Sequence, residues 1–443
     1  MRKRIGWLTL IAFALLLFTG CDLGLSLTPT ASPTPSPAAT GLVSPVSTPS
    51  PTPESSPTPT AVPLTGLTTI TLWVPDFMPL YDEADEATEL MEQIEAFNRS
   101  NRAIQVDVLV KKATGIGGIY QLLETGAQAA PEVLPDLALL NETDLRKATD
   151  AALIQPLPDP VSVPTSTYAF ALEATQRPTA SYAIPMLADI EQTVYNPRLA
   201  MTAPLSWTGV LSGGYSLLFP AAPPDELADD ALLAAYLGSG GAIVDETGAP
   251  FLDRVVLEQL YGFLIDLRAR DLLDAQLVSE LPDASACWEI YQERQATLSV
   301  VPSAEYWAAE NRIDAPGWIP TVEGTPYGLA HLWSLALVTQ DRDRQDAALQ
   351  LAAWLNAPER LSEVSQQAVM LPTNRETLAL WGLLPEELEF VDVLFEAAEV
   401  PPLKEEVDRS IRRALQAGLV LVLGETPATA EQAAAQALTV LRK

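Results

Sequence analysis

Apolar and polar positions change period several times along this chain, and each change marks an element. Ile70-Thr-Leu-Trp-Val74 is a short β run. Ala87, Leu90, Met91, Ile94 and Phe97 then recur at i, i+3, i+4, i+7 and i+10, the stripe of an amphipathic helix that stops at 98–101. Ile104 to Val110 alternates as a second strand, a helix covers about 119–130, and Asp136-Leu-Ala-Leu-Leu140 reads as a third strand. Strand and helix in turn at these spacings predict a mostly parallel sheet with helices on both faces.

The second half is more helical. Val256, Leu257, Leu260, Leu264 and Leu267 mark one helix, Ala296 to Val301 is a strand feeding Pro302, and Trp333 to Val338 is a long apolar strand. Ala347, Ala348, Leu351, Trp354 and Leu355 form another stripe, stopped at Asn356-Ala-Pro358. Thr426 as N-cap and Pro427 at the first helical position predict a closing Ala-rich helix to Leu441. Between the halves lies Tyr182 to Arg198. There two strand-like runs, 182–184 and 193–195, flank the polar insert Asp189-Ile-Glu191-Gln192, with Pro185 and Pro197 outside each run. Proline removes a ladder donor and locks φ, so this reads as a strand that leaves one sheet and enters another. Carboxylates in a buried crossover are costly unless paired, which makes the insert the first place to look for a ligand. The alternative is a solvated loop between two strands.

The N-terminal segments follow other rules. Met1-Arg-Lys-Arg4 and the apolar run Ile5 to Phe18 form a signal peptide, too short for a spanning helix. Residues 22–66 are rich in Pro, Thr, Ser and Ala, cannot bury a core, and read as a semi-rigid extended spacer. No later segment is apolar enough to cross a bilayer. Residues 67–443 are long enough for two cores.

Charge and residue counts remove several function classes. With 57 acidic against 26 basic residues and a net charge of −31, a nucleic-acid partner and adsorption to an anionic lipid surface are both disfavoured. His331 is the single histidine, so a triad is possible only around it, and no G-x-S-x-G or H-E-x-x-H occurs. Between Ala330 and Leu332 it reads as a hydrogen-bonded structural group. One His and two Cys provide no metal-ligand cluster, and no cofactor motif is present. Gly115-Ile-Gly117-Gly118 lacks the full phosphate-binding spacing and reads as a loop. Paired carboxylates are too plentiful to be informative, so glycoside hydrolysis stays open.

The order of motifs resembles the extracellular solute-binding proteins of bacterial ABC importers, in the maltose-binding-like group (family 1) and in lipoprotein form. The resemblance is carried by Leu17-Phe-Thr-Gly-Cys21 as a lipobox with its Thr/Pro/Ser stalk, Ile70-Thr-Leu-Trp73, Phe97-Asn98 before Ile104-Gln-Val-Asp-Val108, and Ile184-Pro185 with Tyr195-Asn196. Pro204-Leu-Ser-Trp207, Ala296-Thr-Leu-Ser-Val300, Ala347-Ala348 before Trp354-Leu355, and Leu371-Pro-Thr-Asn-Arg375 continue it over 67–443. Phe18 stands where that family usually has Leu, glycines are thin at Gly328-Leu-Ala-His331, and the usual Gly-Trp of the pocket strand reads Pro302-Ser-Ala-Glu-Tyr-Trp307.

The resemblance implies a two-lobe α/β fold of the type II periplasmic-binding-protein kind, with a ligand cleft between lobes joined by crossing strands at about Met186–Val194 and Leu332–Leu335. The expected boundaries are a signal peptide at 1–20, a lipidated Cys21 with its linker at 21–66, one lobe from 67–188 plus 333–378, and the other from 189–332 plus 379–443. The expected function is capture of a small solute, a sugar or oligosaccharide, for delivery to importer permease subunits by a monomer lipid-anchored on the outer face of the membrane. A sensory module of the same fold and a surface carbohydrate hydrolase are the alternatives. The residues expected at the ligand are Trp73 and Asp76 after the first strand, Asn141 after the third, Asp189 and Glu191 in the crossing, Trp307, Trp333 and Arg375. Flat rings with polar neighbours suit the CH faces of a sugar.

Overall fold

The computed structural model describes residues 66–82, 84, 86–158, 163–199, 203–294, 296–309 and 312–442. The leader, Cys21 and nearly all of the Pro-rich stretch lie outside them. The strands in chain order are β1 (Thr68–Pro75), β2 (Ile104–Lys111), β3 (Leu137–Asn141), the short β4 (Gln176–Arg177) and β5 (Ala180–Ser181), and β6 (Ala183–Tyr195). They continue with β7 (Leu217–Leu218), β8 (Leu298–Pro302), β9 (Ala315–Gly317), β10 (Gly328–Leu337), β11 (Leu371–Pro372) and β12 (Ala398–Glu399).

One sheet runs in the order β2-β1-β3-β10-β6-β8-β7. Its first three strands are parallel, as their strand-helix-strand connections require, with β1 between β2 and β3. β10 is antiparallel to both β3 and β6. β6 is the strand that changes partners. Residues 183–190 pair with β10, and residues 191–195 pair with β8 and β9.

Pro185 does not break this strand, contrary to the two separate runs expected from sequence. Ser334 of β10 faces Pro185 while Trp333 faces Leu187, so the register shifts at this point and Met186 is the extra residue of a bulge. A bulge interrupts the ladder where a residue without an N–H sits, and the freed Met186 carbonyl accepts from the Thr373 N–H and hydroxyl at 3.0 and 3.2 Å. The closing helix also starts later than expected, at Ala430. Its N-cap is Thr429, which accepts from the Gln432 N–H while Gln432 Oε1 accepts from the Thr429 N–H; this reciprocal box outcompetes Thr426-Pro427.

Two large cores flank the shared strands. One gathers Ile70, Leu72, Ile94 and Phe97 with Ile184, Leu187, Leu335 and Leu351; a smaller cluster about Trp73, Leu123, Leu145 and Ala148 backs it on the other sheet face. The second takes Ile190, Val194, Trp207, Tyr236, Leu264, Val300 and Leu415. β6 contributes to both, Leu187 to the first and Ile190 to the second. Tyr168, Phe170, Leu371 and Leu378, which the sequence boundaries place with the first lobe, pack into the second core. Among the described residues no helix is long and apolar enough to cross a membrane.

Candidate functional site

The site is built where a helix of one core faces a helix of the other. The helix Glu142–Asp150 starts at the end of β3, capped by Asn141, whose Oδ1 accepts from the Asp144 N–H at 2.7 Å. Leu145 and Ala148 bind it to the cluster behind the parallel strands. Opposite it, the helix Glu405–Leu423 buries Ile411, Leu415 and Leu419 in the second core. Their polar sides meet. Lys147 Nζ lies 2.5 Å from Glu405 Oε2, and the Arg146 guanidinium donates to the carbonyls of Leu403 and Pro401.

Three concavities adjoin along this seam and share Arg146. One of about 670 Å³ lies among Tyr120, Thr143, Lys147, Lys404 and Arg409. One of about 120 Å³ lies among Glu142, His331, Asp408 and Arg412, and one of about 240 Å³ among Phe170, Arg177, Glu399 and Pro401. The largest alone is the size of a small-molecule site.

Beneath the seam, His331 on β10 ties the two sides together. Its Nδ1 lies 3.1 Å from Glu142 Oε1 and its Nε2 lies 2.6 Å from Asp230 Oδ2, while Glu142 Oε2 accepts from the Leu332 N–H at 3.0 Å. Asp230 opens the helix Asp230–Gly238 and also pairs with Arg412 at 2.5 Å, which in turn binds Asp408 at 2.9 Å. The Asp230 charge, which outweighs burial and is joined by the hydrogen bonds to Asp230 and Glu142, holds the imidazole pKa well above its ordinary value and so favours the protonated ring. Burial would raise both carboxyls, but His331 with backbone hydrogen bonds outweighs it at Glu142, which is lowered, and His331 with Arg412 outweighs it at Asp230, which is held well below the usual range.

A second carboxyl pair adjoins this chain. Glu191 on β6 faces Asp229; burial first, then the Asp229 and Asp230 charges, push Glu191 well up, and burial followed by the Asp230 charge brings Asp229 up to about 6. The pair therefore retains a proton where isolated carboxylates have lost theirs.

The residues expected at the ligand are dispersed. Trp73 is buried in the cluster behind β1, with Lys111 Nζ 5.3 Å from its ring centre. Asp76 is exposed and accepts from the Ala113 N–H, and Asn141 serves as the cap already described. Trp307 is buried in the second core with its ring edge-on to Tyr306. Trp333 packs edge-on against Phe77, and Arg375 pairs with Asp392 and Glu396 over the Tyr168 ring. None of the eight lines the three concavities. Three adjoin lining residues: Asn141 immediately precedes Glu142, Asp189 pairs in register with His331 and accepts from Ser303 Oγ, and Glu191 meets the Asp229–Asp230 corner. Gly115 and Gly117 take left-handed backbone (φ +73° and +78°) in a turn before the helix Ile119–Ala129, in keeping with the loop reading.

Sequence reasoning passed over Glu142, Arg146, Asp230 and Arg412. One signal was available: in a chain this poor in basic residues, Arg146-Lys147 and Arg409 through Arg413 concentrate positive charge on two helices, a pattern that composition totals conceal.

No protein-family model matches the sequence, and no curated protein matches it either. Solved structures match it over most of its length. The maltose-bound MalE3 of T. maritima superimposes with a TM-score of 0.63 at 17% identity, covering 85% of this chain and 99% of its own. The sugar-binding protein MalE of Xanthomonas citri gives 0.65 at 17% identity, with 85% and 98% covered. An extracellular solute-binding protein of family 1 from Alicyclobacillus acidocaldarius gives 0.65 at 14%, with 85% and 99% covered. The chain thus has the fold of these binding proteins, mixed α/β with two cores joined through shared strands. At these identities the likeness concerns fold.

Proposed function

We propose that the chain is an extracytoplasmic solute-binding protein that captures a small saccharide in the seam between the helices 142–150 and 405–423. The observation that carries this reading is the joining of three concavities at Arg146, between helices that belong to different cores, above strands common to both. A ligand there contacts both sides and favours their approach by its differential affinity for the closed arrangement. The sugar assignment draws on what the structurally similar proteins are named for, maltose in one case and sugar binding in another. Asp189 and Glu191 are proposed as the contribution of β6, and the lobes as 67–188 with 333–378 and 189–332 with 379–443, the packing of 168–171 and 371–378 into the second core being a local exchange.

Lipid attachment at Cys21, a spacer to residue 66 and delivery of the solute to importer permeases by a monomer complete the proposal. Titration calorimetry against a panel of neutral and acidic oligosaccharides tests capture, with product analysis after long incubation. Saturable binding without turnover is expected; product release would replace the binding reading with a hydrolase, and no binding across the panel would remove it. Cys21→Ala should release a folded protein into the medium. Retention on membranes after salt and carbonate washing would overturn the anchor.

A further inference from the structure

The charges along the seam are not balanced in the same way throughout. Arg412, Lys147 and His331 each have a carboxylate partner. Among the described residues Arg146 and Arg177 form no such ion pair. Arg146 is half-buried, yet among the described residues its guanidinium donates only to the carbonyls of Leu403 and Pro401. Arg177, half-buried on β4, donates only to the carbonyl of its neighbour Gln176. Both line the concavity of about 240 Å³ and are close enough to repel: burial and then the Arg177 charge lower the Arg146 pKa, and the more distant charges of Glu142, Asp150 and Asp408 offset this only in part. The carboxylates on its rim, Glu173 and Glu399, form no ion pair with either among the described residues, and Glu399 accepts from the Tyr327 hydroxyl at 3.3 Å. Two like charges facing one small cavity cost stability unless something negative comes between them. The guanidinium fork fits planar carboxylate and tetrahedral phosphate oxygens alike.

Taking the solute-binding reading as its basis, we infer that the solute carries an anionic group, and that Arg146 and Arg177 hold that group at the end of the seam closed by Phe170 and Pro401. The ligand class is an acidic saccharide, a uronate or a sugar phosphate, rather than a neutral maltodextrin. The same concavity offers one aromatic face, Phe170, and the largest one offers Tyr120, while the tryptophans suited to stacking neutral sugars are packed elsewhere. Polar fixation of a charged group is therefore the recognition element that the cavity provides.

The test is calorimetry of the folded chain with maltotriose, trigalacturonate and glucose 6-phosphate at low salt and at 0.5 M sodium chloride, repeated on Arg146→Lys, Arg146→Gln and Arg177→Gln. At least one acidic probe should bind tenfold or more tighter than maltotriose, the preference should fall with salt, and Arg177→Gln should reduce the acidic-to-neutral ratio about tenfold. Arg146→Lys should retain more of that ratio than Arg146→Gln. Arg177 has no long-range hydrogen bond, so its variant should melt like the parent and keep the test open if Arg146→Gln misfolds. Trigalacturonate binding alone assigns a carboxylate, and glucose 6-phosphate alone a phosphate. Maltotriose bound as well as the acidic probes, or an acidic preference indifferent to Arg177→Gln, would overturn the inference and leave solute capture standing. Silence with all three probes would overturn it, and only the wider panel would then decide capture itself.

Discussion

The floor and the Phe170 end of the seam lie side by side and differ in how their charge is satisfied. On the floor, Glu142, His331, Asp230, Arg412 and Asp408 form an unbroken chain in which every cation meets a carboxylate. At the Phe170 end, Arg146 and Arg177 line one concavity with backbone carbonyls as their only acceptors among the described residues. A closed ionic chain gives up its stability when any member is removed, because the partner is left charged and partly buried. An unpaired guanidinium has little to lose and an anion to gain. The first region is thus built to hold the two cores in register, the second to receive.

The largest effect expected from breaking this contrast is on the floor. Arg412→Met removes the partner of both Asp230 and Asp408 from a site where Arg412 and Asp230 are mostly buried, and should cost about 3 kcal/mol of stability by urea denaturation. A loss below about 1 kcal/mol would mean that the chain is not structural. Asp189 sharpens the comparison, since it sits between the regions with Ser303 as its donor. If it belongs to the floor, Asp189→Ala and Ser303→Ala should each cost about 1.5 kcal/mol and add little when combined. Tenfold weaker solute binding with an unchanged melting temperature would instead place it with the receiving end.

Proton linkage distinguishes the same regions. The raised His331 pKa gives a stabilisation complete below about pH 6.5, the ordinary unfolded value, and lost as pH rises through the higher folded value. Glu191 and Asp229 act in the same direction, because unfolded carboxyls ionise near pH 4 while the folded pair holds its proton longer. Glu142 and Asp230, with lowered values, act oppositely and lose their contribution only as pH falls below the carboxylate range. Stability should therefore decline as pH rises above about 5, and Glu191→Gln should flatten the slope by up to about 1.4 kcal/mol per pH unit. Parallel melting profiles for parent and variant would dismiss this role for Glu191. The smallest effect belongs to Lys147→Gln. Its bond to Glu405 spans the seam, yet both side chains are more than a third exposed, so the change should stay within about 0.5 kcal/mol in thermal melts.

Much of the architecture was legible in the one-dimensional pattern, because helix stripes and strand alternation are local and report which face is buried. The helix 89–100 and the strand 104–111 follow from that pattern within a residue or two, and the place of the crossing follows too, though as two runs where the structure has one strand, 183–195. What escaped it needed partners distant in sequence. Pro185 continues a strand only because a bulge opposite Trp333 and Ser334 removes the demand for its N–H. Thr429 displaces Thr426 as cap because Gln432 answers it.

The site divides in the same way. Asp189 and Glu191 stood out as polar residues interrupting an apolar run, a local anomaly that sequence exposes. Trp73 and Trp307 looked like stacking faces at strand ends, but whether an indole at a strand end turns to the cleft or the core is decided by what packs over it, and here both are core. His331, Asp230 and Glu142 lie 101 and 189 residues apart along the chain in the bonds that join them, and no periodicity links them. Sequence alone determined the alternation of elements, the strand that crosses and the acidic character of the chain, all properties of neighbouring residues or of their sum. The tertiary structure decided which charges find partners and that Arg146 and Arg177, among the described residues, meet at one concavity with carbonyls as their acceptors, because such pairing depends on bringing together segments that the chain encodes far apart.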